Sequence, residues 1–152
     1  MTEADPVLAR RAAVAAISRE AAEGVIDRLV SEASRALSTI GLGREAAKRY
    51  GDGIRNNLPI FYEAMQLPDG SERDAKLAML VAQTRGVSEH HHIPRLIERG
   101  LVAIAVRLGR EVLRRRAAQR GFTPEELERE FVAFTDLLED RLFEDRAGGD
   151  RR

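Results

Sequence analysis

"IPRLIERGLVAIAVRLGREVLRRRAAQRGFTPEELEREF", residues 93–131, is the stretch on which the fold turns. Ile93, Ile97, Leu101, Ile104, Leu108 and Val112 fall on one helical stripe. The run "LVAIAV" at 101–106 is apolar around the whole circumference, and a helix of that kind needs protein on more than one side. The sequence therefore predicts a central helix between Pro94 and Arg120, with Leu101 to Val106 enclosed all round. Its end turns basic, as the helix dipole favours, and Gly121 supplies a stop. Thr123, Pro124 and Glu126 then make a T-x-x-E capping box with proline at the first helical position. Leu127, Phe131, Phe134, Leu138 and Leu142 continue at helical spacing, so a long final helix folds back on the central one across "RGFTP".

Upstream, Asp5-Pro6 reads as a helix start, because the carboxylate caps free amides and proline lacks only a donor that would be orphaned there. Helical composition then runs to about Ile40. Gly24 is expected to divide it into helices near 6–22 and 24–39, the second burying Val25, Ile26, Leu29, Val30, Ala33 and Leu37. "GLG", residues 41–43, ends that helix. From Arg44 to Leu67, the residues Ala47, Tyr50, Ile54, Leu58, Phe61 and Met65 recur at steps of three or four. Pro59 falls inside this pattern and predicts a kink or break near 56–58. "LPDGSERD" is a turn, and Ser71 with Asp74 suggests a capped short helix to about Arg85 carrying Leu77, Met79, Leu80 and Val81. Residues 1–5 and "RAGGDRR", 146–152, read as frayed termini. No stretch sustains the alternation of a strand. The expected architecture is one all-α domain over 1–152, a bundle of five or six helices.

Composition narrows the function. Twenty-five basic and 25 acidic residues cancel, which argues against a dedicated nucleic-acid binder. The absence of cysteine excludes disulfides, thiolate catalysis and cysteine-based metal sites, and it fits a cytoplasmic setting. The longest fully apolar run has six residues, far below the ~20 that span a bilayer, so no membrane span is expected.

Few residues invite chemistry. His90, His91 and His92 are all the histidines of the chain. On a helix, adjacent residues point about 100° apart, so the three cannot converge on one ion unless they lie in a loop. They read as the polar lead-in to the central helix, with a metal site or a proton-sensitive, ligand-contacting cluster as the alternatives. Arg107, Arg110 and Arg114 share a helix face. It is either a solvated face paired with Glu111, Glu125, Glu126 and Glu128 or a patch for an anion or partner. The carboxylates of the last helix lack the paired Glu-x-x-His pattern of a di-metal bundle, and no glycine cluster has the context of a phosphate loop. The aromatic residues read as core, although a buried tyrosine hydroxyl needs a partner and can face a pocket. No catalytic residue and no metal ligand set is expected.

The segment "HHIPRLIERGLVAIAVRLGREVLRRRAAQRGFTPEELEREFVAFTDLLEDRLF" resembles the N-terminal sensor domains of the RsbR stressosome family and related input domains of actinobacterial regulators. Counted back through "GREAAKRYGDGIRNNLPIFYEAM", the resemblance covers roughly residues 43–143. It implies a globin-like fold, usually without haem, that forms homodimers and passes a stress signal to an output domain or a regulatory partner. No output domain follows Arg152, so a stand-alone or excised version is expected. Counting about two turns back from Pro94, to where a haem globin holds its iron ligand, lands near Val87, which cannot ligate. The expectation is a non-enzymatic signal-input or interaction domain that holds a small apolar ligand. Its pocket would be built from Tyr50, Ile54, Leu58, Phe61, Met65, Leu101, Ile104, Phe131 and Phe134. The competing expectation is a globin that binds haem or another cofactor through His90, His91 or His92.

Overall fold

In a computed structural model that describes residues 5–150, and side chains as far as Glu144, the chain forms six α-helices. These are α1 (Pro6–Glu20), α2 (Ala22–Ser38), α3 (Arg44–Gln66), α4 (Ser71–His90), α5 (Arg95–Arg116) and α6 (Pro124–Asp150). A single 3-10 turn, Ala117–Arg120, links α5 to Gly121, and no strand occurs among the described residues. The all-α bundle expected from the periodicity is therefore present. Residues 1–4, 151 and 152 lie outside the described residues, as do the side chains of 145–150. The frayed-terminus expectation falls largely on these, though the backbone of α6 is helical through Asp150.

Helix ends follow local chemistry. The Asp5 carboxylate accepts from the Val7 amide at 2.9 Å, with Pro6 opening α1. Thr123 and Glu126 form the reciprocal capping box: the Glu126 amide donates to Thr123 Oγ1 at 3.2 Å, and the Thr123 amide donates to Glu126 Oε1 at 2.9 Å. Gly41 and Gly121 take left-handed φ values of 81° and 78° and close their helices in Schellman fashion. In each, the next amide reaches back five residues, Leu42 to the Leu37 carbonyl and Phe122 to that of Ala117.

Several expectations are corrected. The break between α1 and α2 falls at Ala21, and Gly24 sits in the exposed first turn of α2, where its amide is one that any helix start leaves to water. Pro59 does not break α3, which runs unbroken from Arg44 to Gln66. Pro59 is exposed, so the carbonyl it leaves unpartnered one turn earlier can be met by water. Ser71 and Asp74 do not cap α4. Its N-cap is Gly70, and no side-chain bond closes that end. The helix also continues five residues past Arg85, to His90, and Met79 is exposed rather than core. Finally, Leu101 to Val106 is not enclosed on every side. Leu101 and Val102 are buried and Ile104 to Val106 half-buried, but Ala103 is exposed. A single methyl is the cheapest apolar group to leave in water, so one narrow flank of α5 can stay open.

Packing is continuous around the bundle. α3 lies between α2 and α4, α5 packs on α2 and α6, and α1 crosses α3, α5 and α6. Two apolar clusters result. One joins α1 to α6 around Ile17, Leu77, Leu113 and Phe134, and the other joins α2, α3 and α5 around Leu29, Tyr50, Leu101 and Leu108. Glycine permits two of the closest approaches: a Cβ on Gly51 would lie 2.5 Å from Val30 Cγ2, and one on Gly53 would lie 2.7 Å from Val87 Cγ1. A polar tie fastens α1 to the rest. Arg11, 9% exposed, donates to Glu130 at 3.4 Å, to the Leu67 carbonyl at 2.8 Å and to Asp69 at 2.9 Å. Arg10 reaches the other oxygen of Glu130 at 3.1 Å.

Candidate functional site

Between the two clusters the packing leaves a cavity of about 140 Å3. All six helices contribute to its wall. α3 supplies most of one side, because Tyr50, Ile54, Asn57, Leu58 and Phe61 fall on one helical stripe at i, i+4, i+7, i+8 and i+11. α2 adds Val25, Ile26 and Leu29; α5 adds Val102, Ala105, Val106 and Gly109. Ser18 of α1, Leu80 and Thr84 of α4, and Phe131 and Leu138 of α6 complete the enclosure. Small residues on α5 make the space. Gly109 cannot carry a Cβ without meeting the Phe131 ring at 2.6 Å, so the ring packs directly on the α5 backbone.

Of the nine residues expected to form a pocket, the structure brings five to this wall: Tyr50, Ile54, Leu58, Phe61 and Phe131. The other four do not line it. Met65, Leu101 and Phe134 are fully buried in the two clusters, and Ile104 is half-buried against the second. The helical stripe identified the right face of α3. It could not say which α5 residues look inward, because "LVAIAV" is apolar in every direction.

The polar groups of the wall are few. Thr135 is satisfied by donating to the Phe131 carbonyl at 2.9 Å, and Tyr62 donates to the Ser18 carbonyl at 3.5 Å. Tyr50, 1% exposed, brings a phenol to the wall. Its pKa is raised, first by burial and then by the nearby Glu98 carboxylate, so the phenol stays protonated at neutral pH. Asn57 is 7% exposed, and its Nδ2 is buried without a partner. The sequence reading passed over Asn57. The available signal was an amide seven residues after Tyr50, on an otherwise apolar stripe.

The histidines lie elsewhere. His90 is the last residue of α4, His91 is its C-cap, and His92 adopts φ 55° in the turn that follows. They close the preceding helix and do not lead into α5, which starts after Pro94. The His92 amide donates to the Glu89 carbonyl at 3.1 Å and the Ile93 amide to that of Ser88 at 2.9 Å. His92 thus occupies the place that Gly41 and Gly121 hold at their helix ends. Leaving the helix at His91 also lets two rings meet: those of His90 and His91 stand edge to face, with centroids 4.9 Å apart. Both border a shallow polar groove with Arg49, Asp52 and Gln83, and Asn57 separates this groove from the inner cavity. The His91 pKa is lowered, first by desolvation and then by His90, Arg49 and His92. Among the described residues no three His, Asp or Glu side chains gather in a metal-binding arrangement.

A haem would need an iron ligand on the cavity wall and room for its macrocycle. None of the three histidines lines the cavity, and about 140 Å3 falls below the roughly 300–1,000 Å3 usual for such sites. The geometry does not fit haem. The basic face of α5 is matched by carboxylates. Arg107 pairs with Glu32 and Glu111, Arg114 with Glu128, and Arg110 with Glu128 at 3.7 Å. No helix among the described residues is long and apolar enough to cross a membrane.

Comparison with protein-family models, curated proteins and solved structures returns no match to this chain.

Proposed function

We propose that this protein is a signal-input or protein-interaction domain without catalytic activity, a haem-free relative of the globin-like sensors it resembles, acting as a homodimer. The observation that carries the reading is the cavity to which all six helices contribute. A small molecule bound there touches every element at once. Any difference in its affinity for two packings of the bundle shifts the population between them, and the shift is felt on every outer face. Support comes also from what surrounds the cavity: mostly apolar side chains, a few hydroxyls and one unpartnered amide, with no acid or base side chain among them. Stress signalling through a regulatory partner or fused output domain is the setting that the resemblance suggests.

The test is made on the full chain with toluene as a probe that fits the cavity. Native mass measurement across a concentration series is expected to show a dimer whose dissociation changes when toluene is present. Amide hydrogen exchange is expected to slow in all six helices together. A monomer at every concentration removes the dimer from the proposal, and exchange unchanged by a bound probe removes the population-shift mechanism.

A further inference from the structure

An apolar cavity alone selects only by size, but this one carries a phenol and an unpartnered amide on one stripe of α3. Tyr50 and Asn57 stand seven residues apart on α3, two helical turns, and so project from the same stripe. The Asn57 amide is more than nine-tenths buried and its Nδ2 has no partner. A buried donor left unmade costs the desolvation of that group, and a native core seldom tolerates one without a role. We propose that the cavity is a binding site for a small neutral molecule with an apolar body and one hydrogen-bond acceptor, a carbonyl or ether oxygen, which the Asn57 amide anchors. The inference rests on the ligand-binding reading above and names the ligand's chemical class.

Size and charge each narrow the class. The cavity is close in volume to an engineered core cavity of 150 Å3 that stays dry and holds benzene, so a single ring with a short substituent is the right scale. No arginine, lysine or histidine lines the wall, and the nearby Glu98 carboxylate, 2% exposed, adds a negative field at Tyr50. An anionic head group would lose its water here and gain no cation, so carboxylates are rejected. Protonated Tyr50 adds a second polar group two turns away on the same stripe. Asn57 also borders the outer groove of Arg49, His90 and His91, so it lies between that groove and the cavity.

The closing experiment compares three probes of similar size on the full chain: acetophenone, ethylbenzene and benzoate. Affinities are read by calorimetry relative to each probe's own transfer from water to hydrocarbon. Acetophenone is expected to gain at least roughly tenfold over ethylbenzene on that corrected scale, because the hydrocarbon reference leaves its carbonyl unbonded, and benzoate is expected not to bind. The carbonyl stretch of bound acetophenone should lie below its position in hexane. Asn57→Leu, close in volume, should bring the stretch back towards the hexane value and erase the preference. The wild-type comparison and the infrared band decide the matter even if that variant does not fold. Equal corrected affinities, an unshifted band, or benzoate binding as tightly as acetophenone would each overturn the proposal. Toluene binding with no acetophenone advantage sinks this inference and leaves the sensor reading standing. An Asn57-dependent preference with no change in exchange or dimer dissociation does the reverse.

Discussion

His92 shows how much a single backbone angle can decide. At φ 55° it pays the steric cost that glycine avoids, yet it holds the turn that ends α4 and delivers Ile93 into the core. Replacing it should therefore help. His92→Gly is expected to raise stability by about 1 kcal/mol in urea unfolding, and a loss would show that the ring makes contacts worth more than the strain. Its neighbour His91 has a folded pKa below the ordinary imidazole value, so the unfolded chain binds the proton more readily. The resulting stability is present above about pH 6.5 and is lost as pH falls from there towards the folded pKa. Proton-detected titration should place His91 below 6.5, and His90→Asn should raise it by removing one of the neighbours that lower it. At the start of α6, Thr123→Ala should cost about 1 kcal/mol, the usual worth of an N-cap. The Glu126 carboxylate in that box is held below its usual range by the Thr123 amide, so its contribution persists above the ordinary glutamate pKa and fades in acid.

At the scale of elements, helix pairs meet where side chains are absent. Gly53→Ala would place a methyl 2.7 Å from Val87 Cγ1 and 2.9 Å from Cγ2, forcing α3 and α4 apart. A cost of about 1–3 kcal/mol is expected, and Val87→Ala in the same chain should recover most of it. A double-mutant cycle that came out additive would mean that the two helices do not touch there. α1 and α6 share an apolar cluster and, beside it, a polar tie. Glu130→Ala takes the partner of Arg10 and one of the three acceptors of Arg11, and breaking a buried ion pair from one side costs on the order of 3 kcal/mol. Neither feature was evident in the sequence. A glycine inside a helical stripe looks like a flaw until the partner helix is placed. An arginine eleven residues into the chain gives no sign that Glu130 and the Leu67 carbonyl will surround it. By contrast, the stripes of α2, α3 and α6 were legible, because burial of one helical face writes its period into the residue order.

For the molecule as a whole, the cavity is the feature that matters. Ala105→Leu should partly fill it, raise the thermal midpoint by the equivalent of up to about 2 kcal/mol, and weaken toluene binding. An unchanged affinity would place the probe elsewhere. The amino-acid sequence by itself determined that the chain is helical, where most helices start and stop, and which face of α3 turns inward. These are local matters, set by capping chemistry, glycine conformations and a period of 3.6 residues. Only the tertiary structure decided that the all-apolar run 101–106 of α5 leaves Ala103 in water, that three histidines end one helix instead of opening the next, and that Asn57 is buried between cavity and groove with its donor unpaired. Each of these depends on which elements arrive from distant parts of the chain to fill, or fail to fill, the volume between them, and no local pattern encodes a space that six helices enclose together.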